Sequence, residues 1–227
     1  MRTLIYIPIV PSIAEVGTLE KEAKRKSITS AVENNWQMHI NTVNGYWSAI
    51  ESYFENISCY IPGIKIYLDA MFFERTTSFK FLDQQINTGN RNSEIVSKLI
   101  DQGAILIKTE EFKMSQDEGD EFQNVLISKS IIQRLILLLR YNFSHRIFLK
   151  KRDQSIAKTI DETLHQKETG ILFIGVYNKV MNRLAKDITV IELKEVSKIR
   201  KYQKVIQSHS KTKNNQLEQL SKYLVKK

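Results

Sequence analysis

The side chains of this sequence that could do chemistry are a scattered set of oxygens and one arginine. Asp69, Glu110 and Glu111 follow short runs rich in β-branched and aliphatic residues, Ile64 to Leu68 and Ala104 to Ile107, so they fall at the ends of two expected strands. Carboxylates gathered at one rim supply the hard oxygen ligands that a divalent cation takes. The same acids also suit solvated loops or positively polarised helix starts, and both readings stay open. Arg152 presents a planar fork of donors that fits an anionic or carbonyl oxygen; its plainer role is an exposed arginine ahead of a helix. Asp69, Glu110 and Arg152 are therefore the candidates for catalysis, with Asp69, Glu110 and Glu111 as a candidate metal set and a divalent metal as the one cofactor suggested. Ser12, Thr109, Tyr177 and Asn178 add hydroxyls and an amide at strand ends and, with Glu111, are candidate contacts for a small-molecule ligand.

Other chemistries are disfavoured by residue type and spacing. The eight glycines are too dispersed for a dinucleotide fingerprint or a nucleoside-triphosphate loop, and no Gly-x-Ser-x-Gly elbow occurs. His39, His145, His165 and His209 include no close pair, so a histidine-rich zinc site is not expected. The lone Cys59 permits no internal disulfide and reads as a small buried apolar residue.

Those side chains have to be positioned by elements that the apolar spacing lays out in turn. Thr3 to Val10 reads as a buried strand closed by Pro11, and Glu15 to Lys26 has helix-forming composition. Trp36, Ile40, Val43, Trp47, Ile50, Phe54 and Ile57 recur along one face of a long helix, widened by Tyr46 and Tyr53. After the Pro62-Gly63 turn comes the strand Ile64 to Leu68, then a helix containing Phe79, Leu82 and Ile86. A helix capped by Ser93 and ended at Gly103 leads into the strand Ala104 to Ile107. Ile131 to Phe143 forms a further helix. Asp153 reads as the cap of another, ending near Gly170. Strands at Ile171 to Ile174 and Ile188 to Leu193 are separated by a short helix containing Tyr177 to Leu184, and a last helix runs from Glu195 through Ile206. Alternating strands and helices imply an α/β fold with a mostly parallel sheet of about five short strands and long flanking helices. Ligands of such sheets sit at the strand ends.

The chain of 227 residues, 42% hydrophobic, is long enough for one ordinary core. Its net charge of +9 is concentrated: from Lys194 onward ten bases face two acids. We read residues 1–207 as one α/β domain and 208–227 as a basic, partly frayed C-terminal helix or tail. Such an arm can attract nucleic acid without sequence preference, or simply face water. The most apolar window, Ile131 to Phe143, contains Gln133, Arg134 and Arg140, so no membrane span is expected, and a cytoplasmic location suits the single cysteine. A homo-oligomer is a further expectation for partners.

Arg152-Asp153 begins a helical run, and Gly170-Ile-Leu-Phe-Ile-Gly-Val-Tyr-Asn178 follows as a strand. These two segments resemble the C-terminal part of the TraB, ChaN, Tiki and erythromycin-esterase superfamily. In that superfamily an Arg-Asp or Arg-Asn pair opens a helix and the next strand ends in Gly-x-x-His. Here Arg152, Asp153 and Gly175 match, and Asn178 stands at the histidine position. The N-terminal strand, which ends in a histidine motif in the superfamily, ends here in Pro8-Ile9-Val10-Pro11. The resemblance covers about a fifth of the chain. The chain is also similar to uncharacterised bacterial proteins with a GILFIG strand. The superfamily resemblance implies a crevice at strand ends and hydrolytic or metal-dependent chemistry in the relatives. An asparagine cannot titrate near neutral pH, so it implies here a Tiki-like protein with lost or altered catalysis that binds a ligand or partner. A metal-dependent hydrolase using Asp69, Glu110, Glu111 and Arg152 is the alternative.

Overall fold

The computed structural model describes residues 1–10, 30–68, 90–109, 147, 149–207 and 214–226. Five strands, β1 (Arg2–Ile9), β2 (Lys65–Leu68), β3 (Ile105–Ile107), β4 (Thr169–Gly175) and β5 (Ile188–Glu192), form one sheet in the order β3-β2-β4-β1-β5. Every pairing is parallel. The α/β class expected from the sequence is the one observed. The helices are α1 (Ser30–Asn56), α2 (Arg91–Asp101), α3 (149–163), α4 (Val196–Gln207) and α5 (Asn214–Val225).

Right-handed crossovers decide which face each helix covers. The steps β1 to β2 and β2 to β3 both move toward the β3 edge, and α1 and α2 both lie on one face. The step β3 to β4 moves back, and α3 accordingly covers the opposite face. Both faces are therefore buried: Ile5, Ile7, Ile66, Leu68, Ile171 and Phe173 pack beneath α1, α2, α4 and α5, while Leu4, Tyr6, Tyr67, Leu172 and Ile174 pack beneath α3. This is why the strands read as continuous apolar runs rather than as alternating ones.

Pro8 sits in a central strand without breaking it. Arg2 N and the Tyr6 carbonyl both bond toward β5, so by the two-residue alternation Pro8 faces the same side. The β5 ladder stops at Tyr6, and the missing N–H of Pro8 has no ladder to break. The Pro8 carbonyl is instead satisfied by the buried Tyr46 hydroxyl, which donates to it at 2.5 Å, and Trp47 Nε1 donates to the Val10 carbonyl at 3.1 Å. Both aromatics belong to the apolar stripe of α1, where Val43, Trp47, Ile50 and Phe54 are buried as the spacing predicts. Burial pushes the Tyr46 hydroxyl well above the usual tyrosine range.

At the starts of the strands the chain is fastened by charge. The nearly buried Arg2 donates from Nε and Nη2 to Asp187 at 2.9 and 2.7 Å, from Nη2 to Asp161 at 2.7 Å, and from Nη1 to the carbonyls of Asp161 and Leu164 at 3.0 and 3.2 Å. These bonds use all the donor directions of the guanidinium. Lys65 Nζ lies 2.5 Å from both Glu168 Oε2 and the Thr163 carbonyl. Beside it, the Lys65 ammonium and the His165 amide hold Glu168 below the usual carboxylate range.

Several local expectations need correction. The cap of α2 is Asn90, whose side chain accepts from Ser93 N, so Ser93 lies inside the helix. Gly103 takes the left-handed conformation expected at the helix end (φ 96°). Gly170 ends no helix; it lies in β4, where a Cβ would stand 2.9 Å from the Tyr67 ring. The short helix between β4 and β5 is a single 3-10 turn, Val180–Arg183. In the stretch 208–227, read as a basic, partly frayed helix or tail, 214–225 is a helix with Leu217, Leu220 and Leu224 in the core beneath α1 and α4. The apolar spacing of those leucines was outweighed in the sequence by the polar run before them. The expected helices Glu15 to Lys26, Phe79 to Ile86 and Ile131 to Phe143 fall outside the described residues.

Candidate functional site

The crevice follows from the topology. From β2 the chain moves toward β3 on the α2 face, and from the neighbouring β4 it moves toward β5 through a 3-10 turn whose Val180 packs on the α3 face. Adjacent strands whose connections diverge leave a gap between their carboxyl ends, the usual ligand position in open parallel sheets. Here those carboxyl ends are Leu68 of β2 and the segment from Gly175 to Asn178 after β4.

Five hydrogen bonds from four side chains shape it, one buried and four part-buried. Thr109, fully buried beyond β3, donates its hydroxyl to the Leu68 carbonyl at 2.6 Å and ties the β3 exit to the end of β2. Ser155 of α3 reaches the Thr109 carbonyl at 3.3 Å. Asp153 of α3, also buried, accepts from Lys179 N through Oδ2 at 2.9 Å. From the other side Arg200 of α4 donates through Nε to the Val176 carbonyl at 2.6 Å and through Nη2 to the Asn178 carbonyl at 3.3 Å. The β4 exit is thus held between an acid on one face of the sheet and an arginine on the other.

Within this loop the side chains alternate. Val176 and Asn178 point in, while Tyr177 and Lys179 are exposed. Asn178 is 6% exposed, and its Nδ2 is buried with no hydrogen-bond partner among the described residues. An amide donor left this way costs roughly 1–3 kcal/mol.

Of the residues singled out from the sequence, the structure brings Thr109 and Asn178 to this rim, tied to Ser155 and Asp153 of α3. Tyr177 is there too, but on the outside, 50% exposed. Arg152 is half-buried within α3, next to Asp153. The Arg152-Asp153 pair does not open its helix, which already runs from 149, so Asp153 is no cap; its carboxylate instead serves the β4 exit. Ser12, Asp69, Glu110 and Glu111 lie outside the described residues. Among the described residues no three His, Cys, Asp or Glu side chains come together in a metal-binding group. No described helix is long and apolar enough to cross a membrane.

Sequence reasoning missed the roles of Asp153 and Arg200. The signal for Asp153 was present: it precedes Ile156, Ala157 and Ile160 by three, four and seven residues, which places an acid on the apolar stripe of its helix. For Arg200 the signal was weaker, since it is one base among ten in a basic stretch.

A cavity of about 480 Å³ opens at the opposite rim, lined by Ile57, Tyr60, Ile64, Glu168 and Thr169 among others. It is a poor site, because its one acid, Glu168, is committed to Lys65 and to the His165 amide. His39 likewise serves packing. Its Nδ1 lies 2.8 Å from the Tyr202 hydroxyl, the rings are stacked, and burial holds the imidazole below its usual pKa.

No protein-family model matches this chain, and neither a curated protein nor a solved structure matches it.

Proposed function

We propose that this chain is a ligand-binding α/β protein that uses the crevice between the carboxyl ends of β2 and β4, with the proton-transfer chemistry of the TraB and Tiki relatives lost or altered. The carrying observation is the buried, unpartnered Nδ2 of Asn178 at the divergence of the two strand exits. A donor without a proton to exchange near neutral pH suits recognition better than acid–base catalysis. The ligand that completes it presents an oxygen acceptor: a carbonyl, a carboxylate or a phosphoryl group. The hydrogen bond from Lys179 N to Asp153 at the β4 exit supports the reading, because the resemblance implies a crevice at the strand ends.

The test is a thermal-shift panel of short amides, carboxylates and inorganic phosphate, each with and without manganese, magnesium, calcium and zinc. A ligand bound only by the folded state at a hundredfold excess over Kd adds about 2.7 kcal/mol. The expected result is a compound that raises the melting temperature of the wild-type chain and raises that of Asn178→Leu much less. A panel without effect, or equal shifts in both proteins, rejects the site. A shift produced by a cation alone, indifferent to Asn178, would favour a metal-dependent enzyme instead.

A further inference from the structure

Residues 196–207 and 214–225 of the basic C-terminal stretch are helical, and this changes what their charge can do. The α4–α5 pair is locked by Glu195 N donating to the Tyr223 hydroxyl at 3.0 Å, by Lys194 Nζ bonding the Lys226 carbonyl, and by Lys198 Nζ lying 4.0 Å above the Tyr223 ring. On α4 the apolar residues Val196, Ile199, Tyr202 and Val205 are all buried, so the opposite side is left to Ser197, Lys201 and Lys204, each exposed. Lys201, Lys204 and Lys222 form no ion pair among the described residues.

Arg200 then links this basic side to an exposed aromatic. Its guanidinium reaches the carbonyls of Val176 and Asn178, which flank Tyr177 in the chain. Tyr177, 50% exposed, and the exposed Lys179 point outward from the same loop. Arg200, one residue before Lys201 and one turn before Lys204 on α4, is therefore fixed against the loop that carries Tyr177 and Lys179.

We infer that the surface formed by Tyr177, Lys179, Lys201 and Lys204 binds single-stranded nucleic acid, with the lysines on the phosphates and Tyr177 stacked on a base. Charge complementarity selects a polyanion. A lipid surface fits less well, since a membrane-seated helix shows apolar or aromatic side chains beside its lysines, and those of α4 are in the core. Duplex DNA would engage the lysines and leave Tyr177 idle. A single strand uses both, and the stacking tolerates any base.

The test is fluorescence anisotropy of the full chain with labelled oligo-uridine and oligo-thymidine at low and physiological salt. Binding should weaken steeply with salt, with a slope of about −0.7 per phosphate contacted. Lys201→Glu combined with Lys204→Glu should lower affinity at least about tenfold and flatten the slope. Tyr177→Ala should cost about five- to a hundredfold and leave the slope unchanged, while Tyr177→Trp should retain binding. Circular dichroism melts confirm that each variant is folded, and Tyr177→Trp carries the stacking test should Tyr177→Ala fail it. No binding at low salt overturns the inference. So does equal affinity for duplex or for anionic phosphatidylserine vesicles, or indifference to the charge reversals or to the loss of the Tyr177 ring.

Discussion

The two rims of the sheet are built on opposite rules. At the strand starts, polar groups are paired: Arg2 has Asp161, Asp187 and two carbonyls, and Lys65 has Glu168 and Thr163. The connections there are short, 164–168 before β4 and 102–104 before β3. At the strand ends, Thr109, Asp153 and Arg200 fasten backbone to backbone, but Asn178 keeps a donor open. A satisfied polar network fixes strands in place; an unsatisfied donor held by such a network stays ready for a partner. The difference separates a rim that holds the fold together from one that can recognise something.

The sharpest break of this comparison is Arg2→Met. It removes the guanidinium that unites the starts of β1 and β5 with the end of α3, and should cost roughly 2–3 kcal/mol in urea denaturation. Its pH signature distinguishes it from a packing defect. The Arg2 guanidinium, by hydrogen bonding foremost, holds Asp187 at a pKa of about 2. A depressed carboxylate contributes stability above its unfolded pKa, and that contribution fades as pH falls through the folded value. Wild type should therefore lose stability between about pH 4 and pH 2 through this pair, and Arg2→Met should lose less. Equal acid sensitivity in the two proteins would mean that the Arg2 cluster does not hold the rim.

At the other rim the expected sign is reversed. Asn178→Leu replaces an unpaired amide with an apolar side chain of similar size, and should be neutral or stabilise the unliganded protein by about 1 kcal/mol. A urea midpoint lowered by that amount would show that the Asn178 amide is satisfied, and the contrast between the rims would fail.

The smallest effect comes from between the rims. Asp187, Glu168 and Glu51 are all held below the usual carboxylate range, Glu51 chiefly by Lys98, so their contributions stay constant near neutrality. His39 differs, because burial lowers its pKa and the unfolded chain takes up the proton more readily. Stability should fall modestly, by well under about 1 kcal/mol, as pH drops below about 6.5, and His39→Gln should remove that part of the decline. An unchanged slope in His39→Gln would place the titrating group elsewhere.

Much of the fold was legible in the sequence because it rests on local chemistry. The β-branched runs of β1, β2 and β4, the three- and four-residue spacing of Val43, Trp47, Ile50 and Phe54, and the left-handed Gly103 each follow from backbone preference and burial of one face. The docked α5 was less legible, since its leucines have a face to bury only once α1 and α4 are together. The site was legible in part: Thr109 and Asn178 could be placed at strand ends by counting.

What the sequence determined by itself was the alternation of strands and helices, because periodicity is a property of neighbours along the chain. Only the tertiary structure decided the strand order, the faces taken by α3 and α4, and the pairing of Asp153 and Arg200 with the β4 exit. Those depend on which distant segments share a boundary after the sheet has closed over its core. No local spacing encodes that Asp153 of α3 and Arg200 of α4 reach one loop from opposite faces, or that Asn178 is left between them with a donor to offer.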